Sequence, residues 1–197
     1  MNAAQRRITE ADLLSAADYQ ARRTELRAES IARKKNRRIE VGPFATFYFE
    51  NYDTMWLQVH EMLRIEKGGA EQVPGELEAY NPLIPQGNEL IATLMLEIED
   101  AARRDRTLRT LGDIEESAFL DLGGERIKAT PTEYEDRTTP DGKTSSVHWL
   151  RFVLTPDQIA KFKSGAGDAV LGFAHPNYGH MALMPPQVRE ELARDFA

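Results

Sequence analysis

The sequence predicts an α+β fold: N-terminal helices followed by a mostly antiparallel sheet with helices packed on it. Three observations carry that prediction. Helix-opening signals crowd the first part of the chain, where Thr9-Glu10-Ala11-Asp12 and Ser15-Ala16-Ala17-Asp18 both read as capping boxes with Asp in place of Glu. From Glu89 the period changes to two, because Leu90, Ala92, Leu94, Leu96 and Ile98 alternate strictly with other residues. The remainder is a series of short alternating segments bounded by turn residues. Sequential helices and then strands are the mark of α+β rather than α/β architecture.

Taken in order, the second capping box opens a helix expected to run to about Asn36, with a narrow apolar stripe at Tyr19, Leu26, Ala28 and Ile31. Ile39–Val41 and Phe44–Phe49 read as strands turning at Gly42-Pro43. Asn51 or Asp53 caps a helix over about 52–67, which Gly68-Gly69 stops, and Pro74 opens a short helix over 74–80. Residues 81–87 (NPLIPQG) hold too many breakers for regular structure. A helix near 100–111 follows the alternating strand. Strands are expected at 118–122, 126–132 and 146–154, the last two joined by a hairpin with Pro140-Asp141-Gly142-Lys143 at its tip. Thr155-Pro156-Asp157 starts another helix, 168–174 and 180–184 are two further strands, and 186–196 is a closing helix. At 197 residues the chain suits one compact domain, with a helical part over about 9–86 and a sheet-rich part over about 88–197.

Composition narrows the chemistry. There are no cysteines, which excludes thiol nucleophiles, Cys-ligated zinc and thiolate-held Fe–S clusters. No apolar run approaches a membrane span, and the start of the chain lacks an apolar signal stretch, so the expected location is cytoplasmic. The net charge is −7, unevenly spread: residues 22–38 carry a net +6 and the rest −13. Arg33, Lys34, Lys35, Arg37 and Arg38 form a candidate surface for an anionic partner. The acidic whole and the lack of interleaved aromatics argue against nucleic acid.

The stretch 47–68 (FYFENYDTMWLQVHEMLRIEKG) is the richest in chemistry. At 100° per residue Met55, Trp56, Val59, Met62 and Leu63 fall within an arc of ~120°, the buried face. His60 lies at its edge, and Gln58, Glu61 and Arg64 form a polar strip. Glu66 falls inside the apolar arc, which requires either a charged partner or a place beyond the core at the helix end. The stretch is not a zinc-protease helix, since His60-Glu61 lacks a second His four residues on. With Glu50 and Asn81, these residues make up a candidate polar site. His175 and His180 flank a turn and are a second pair of metal candidates, without a fixed third ligand. Gly123-Gly124 is not at a helix start, and the serines at 15, 30, 117, 145, 146 and 164 lack a nucleophile elbow.

The segments FENYDTMWLQVHEMLRIEKG (49–68) and ELEAYNPLIP (76–85) resemble the distinctive blocks of a bacterial family known as a domain of unknown function. The run ending RKKNRR, the block SVHWLRFVLT (146–155) and the turn GFAHPNYG (172–179) extend the resemblance over nearly the whole chain. In that family the blocks matching Glu50, Gln58, Glu61, Arg64, Glu66 and Asn81 are prominent. Its members are often encoded beside rubrerythrin-like proteins and Fe–S oxidoreductase subunits. The resemblance implies a link to peroxide defence or electron transfer.

The leading expectation is therefore a non-catalytic cytoplasmic accessory of a redox or iron-handling system, with a redox protein as partner and no cofactor of its own. The rival is an enzyme or metal-binding protein whose Glu, Arg and His residues converge around the 50–66 helix and the Asn81 loop. A homo-oligomer is the third reading.

Overall fold

The computed structural model describes residues 6–132 and 137–197. Its architecture is α+β, with six helices and nine strands among the described residues, and the strands form two antiparallel sheets rather than one. The first sheet has the order β1 (Arg38–Val41), β2 (Ala45–Glu50), β3 (Glu89–Leu96), β7 (Val147–Val153), β6 (Thr130–Pro131). The second has the order β5 (Glu125–Lys128), β4 (Ala118–Leu122), β8 (Ala169–Phe173), β9 (Met181–Leu183).

The expected single strand over 126–132 is where the two sheets part. Its first half pairs with β4, with Leu120 opposite Ile127, and its second half pairs with β7, with Pro131 opposite Leu150. Between them Ala129 donates its N–H to Ala118 O. Alternation cannot reveal such a change of partner, since both halves keep a side-chain period of two. The turn at 139–143 sits where expected, closed by Gly142 N–H to Thr139 O and Thr139 N–H to Lys143 O, while residues 133–136 lie outside the described ones.

The alternation along β3 sorts residues between two cores. Leu90, Ala92, Leu94 and Leu96 join Phe47, Phe49, Leu150 and Phe152 and face Leu120, Leu171 and Phe173 of the second sheet. The Phe47 and Phe173 rings meet there at 5.2 Å. Ile91 points the other way, into a smaller cluster with Tyr52, Met55, Trp56 and Val59 of α2 (Tyr52–Glu66) and Tyr19 and Leu26 of α1 (Ala16–Lys34). α1 and α2 therefore cover one face of the first sheet, and the second sheet covers the other, its core completed by Leu108, Phe162, Val188 and Leu192.

Local sequence explains the helix ends. Ser15 Oγ accepts from Asp18 N–H at the start of α1, and Asn51 Oδ1 accepts from Thr54 N–H at the start of α2. The C-terminus of α2 differs from expectation, because the left-handed residue that ends it is Lys67 (φ 56°), not a glycine. α3 (Val73–Tyr80) carries Pro74 in its first turn and runs into a 3₁₀ turn at Asn81–Leu83, so part of the proline-rich stretch is ordered. α4 covers Ala101–Leu108, α5 Pro156–Ser164 and α6 Pro186–Leu192. Arg189 of α6 is buried and caps the C-terminus of α5, donating to the carbonyls of Lys161, Phe162, Ala166 and Gly167. Gly42 (φ +71°) could carry no side chain, since a Cβ there would lie 2.7 Å from both the Tyr178 hydroxyl and the His180 ring.

Candidate functional site

α1 and α2 pack antiparallel, as the order of their contacts shows: Arg33 reaches Asp53 at 2.5 Å, while Tyr19 and Arg23 reach Glu61. The Tyr19 hydroxyl donates to Glu61 Oε1 at 2.5 Å, and Arg23 grips both carboxylate oxygens at 2.7 and 2.8 Å. This two-pronged pairing is the geometry that favours the ionised carboxylate most strongly. Hydrogen bonding from Arg23 holds the Glu61 carboxyl at about 2, against the opposing effect of burial. Burial and the Glu61 charge push the Tyr19 phenol up, so it stays a donor.

His60 is buried, 3% exposed, between the Trp56 ring at 4.1 Å and the Tyr19 ring at 4.7 Å. Its Nε2 accepts from Leu14 N–H at 3.0 Å, which leaves Nδ1–H to donate to Trp56 O at 2.9 Å. Both nitrogens are thus committed, and burial lowers the imidazole pKa so that the ring is neutral. Residues 8–14, the N-terminal strap ahead of α1, are tied down from the other side by Asn81, with Oδ1 accepting from Ile8 N–H at 2.7 Å and Nδ2 donating to Ile8 O at 3.0 Å. Trp56 Nε1 donates to Asp12 O at 2.8 Å.

The other candidates stand apart. Glu50 is buried on the helix-facing side of the first sheet and accepts from Thr93 Oγ1 at 2.7 Å. Gln58 is half-buried, and its side chain makes no hydrogen bond among the described residues. Glu66 is exposed at the end of α2, beyond the core, and bonds Gln72 Nε2 at 2.8 Å. The basic run is largely paired within the chain. Arg33 bridges Asp53 and Glu29, and Arg38 reaches Glu40 at 3.7 Å. Arg37 departs most from the expected surface role: it is 2% exposed and holds the buried Asp195 at 2.5 Å together with the Phe49 and Glu50 carbonyls. Lys34 and Lys35 have no ion pair among the described residues and remain on the surface.

His175 and His180 do not converge. His175 is buried, with Nδ1 accepting from Asn177 N–H and Nε2 donating to Gly112 O. His180 is exposed and packs against the Tyr178 ring at 4.5 Å. Among the described residues no three His, Asp or Glu side chains gather as a metal-binding group.

What the polar ties enclose is a cleft of about 440 Å³ between the N-terminal strap, α2 and the turn before α3. Leu13, Leu14, Leu63, Ala70 and Val73 supply its apolar lining, with the edges of Tyr19 and His60. Glu10 and Arg64 are its charged lining residues. Of the candidate polar residues only His60 and Arg64 line it. Reading along the sequence passed over Leu13-Leu14, an apolar pair between two capping boxes, which was the available signal for this wall.

The comparisons agree with this architecture. The model of a family described as "Protein of unknown function (DUF3501)" matches residues 7–196. The chain belongs to that family. A crystal structure of a novel protein of unknown function from Burkholderia pseudomallei K96243 superposes with a TM-score of 0.89 at 37% identity, covering 96% of this chain and 99% of that one. The search of curated proteins found no match. Among the described residues no helix is long and apolar enough to cross a membrane.

Proposed function

We propose that this protein is a non-catalytic binding protein, an accessory in a redox or iron-handling system, and that the cleft walled by Leu13, Leu14, Leu63 and Val73 is its binding surface. One observation carries the choice of binding over catalysis. The groups best suited to proton transfer beside the cleft, His60 and Glu61, are both fully committed to holding its walls. A neutral imidazole with two occupied nitrogens and a carboxylate held at about 2 have no free proton-transfer capacity near neutrality. The remaining lining is apolar and suited to recognition. The redox assignment of the partner rests on the family resemblance alone.

The test is affinity capture at low salt from the native host's lysate with three baits: the unaltered protein, Ala70→Trp and Lys34→Gln/Lys35→Gln. Ala70 is exposed on the cleft rim, so a tryptophan there blocks the cleft without entering a core. A redox protein retained by the unaltered bait and the lysine variant but lost with Ala70→Trp supports the reading. Retention by the Ala70→Trp bait together with loss from the lysine variant would move the binding surface to the end of α1.

A further inference from the structure

We infer that the cleft takes a small monocarboxylate with an apolar alkyl or aryl body; this rests on the reading of the cleft as the binding surface. Its volume, about 440 Å³, lies in the range that holds small organic ligands. The polar groups around its floor already have partners. Leu14 N–H is bonded to His60, the Tyr19 hydroxyl to Glu61, and the Ser15 hydroxyl to Asp18. A ligand body therefore meets apolar surface from Leu13, Leu14, Leu63 and Val73 and loses nothing by lacking hydrogen-bonding groups.

The head group follows from Arg64. Its nearest carboxylate, Glu61, lies 3.9 Å from Nε and is already gripped by Arg23 and Tyr19. Arg64 is a lining residue of the cleft, and beyond that long ion pair its side chain makes no hydrogen bond among the described residues. A planar fork of donors beside apolar surface matches a carboxylate. Glu10, the other charged lining residue, makes no ion pair among the described residues and disfavours a doubly charged head group by like-charge repulsion. At the Arg64 end the charge pattern thus selects a monoanion over a phosphate ester and an acid over an alcohol, and an amine drawn to Glu10 is the competing outcome of the test.

The experiment is calorimetric titration of the full chain with octanoate, octan-1-ol, octylamine and octyl phosphate, using the unaltered protein, Arg64→Gln and Ala70→Trp. Octanoate is expected to bind at least ~10-fold more tightly than the other three, the ratio that one charge-assisted pair gives. Arg64→Gln is expected to lower octanoate to the level of octan-1-ol, leaving octan-1-ol itself unchanged, and Ala70→Trp to abolish binding of both. Octan-1-ol or octylamine binding as tightly as octanoate, or octanoate binding that survives Arg64→Gln, overturns the carboxylate assignment, while sensitivity to Ala70→Trp still leaves the cleft as a binding surface. Heat from none of the four overturns the inference. The partner capture then judges the cleft separately, since it reads a retained protein rather than a small acid.

Discussion

The two layers packed on the first sheet are held in different ways. Against the second sheet the contact is almost wholly apolar, built from Phe47, Phe49, Leu94, Leu150, Phe152 and Phe173. Against the helices the apolar cluster is smaller, and the layer is fastened by polar ties: Tyr19 and Arg23 to Glu61, Arg33 to Asp53, Leu14 to His60, and Ile8 to Asn81. Apolar burial is non-directional and tolerates no gap, whereas a tied seam is directional and leaves room between its ties. The cleft opens in the tied layer, between the strap and the end of α2.

Substitutions that act on one layer and spare the other sharpen this comparison. The largest expected effect is in the sheet-to-sheet core: Phe47→Ala, at a fully buried position, should lower stability by about 3–5 kcal/mol in urea unfolding. Glu61→Gln removes the charge and one of the two acceptor oxygens that Arg23 grips and should cost about 2 kcal/mol. Hydrogen exchange on that variant should show α1 losing protection while β3 keeps it; equal loss in both would mean that the layers do not differ.

Acidity probes both layers at once. His60 in the tied seam and His148 in β7 are buried, and burial lowers both imidazoles, His148 to about 4. Below the unfolded value of about 6.5 the unfolded chain takes up protons that the folded chain does not. Stability should therefore be full above about pH 6.5 and fall as pH drops from there toward 4. Glu61 acts lower, its contribution present above about pH 4.5 and lost as pH falls toward about 2. Denaturant midpoints measured at pH 7.5, 6 and 5 check the histidine window. The smallest effects belong to single ties: Asn81→Ala should cost about 1–2 kcal/mol by freeing the Ile8 backbone groups, and Lys34→Gln should lie within about 0.5 kcal/mol.

Local signals in the sequence were read well. The capping residues Ser15, Asn51 and Thr155, the Pro156 start and the alternation along β3 all lie where their chemistry places them. The division of 125–131 between two sheets was not legible, because pairing partners leave no mark on a strand with period two. The burial of Arg37 was hidden for a similar reason: within a basic run nothing distinguishes the one guanidinium that turns inward to Asp195, far along the chain. In the candidate site, the wheel placed His60 at the edge of the buried face, yet it is nearly inaccessible because the strap lies over it, a contact that no helical periodicity contains. Leu63, assigned to the core, is half-buried because it lines the cleft.

The state of His60 tests the account most directly, because its role as a tie rather than a base separates binding from catalysis here. Nitrogen-detected NMR of the imidazole from pH 8 to 5 should show a neutral ring protonated at Nδ1, with Nε2 as acceptor and no titration near 6.5. A ring that titrates near 6.5, or exchanges between tautomers, would show a nitrogen free for chemistry and contradict the account.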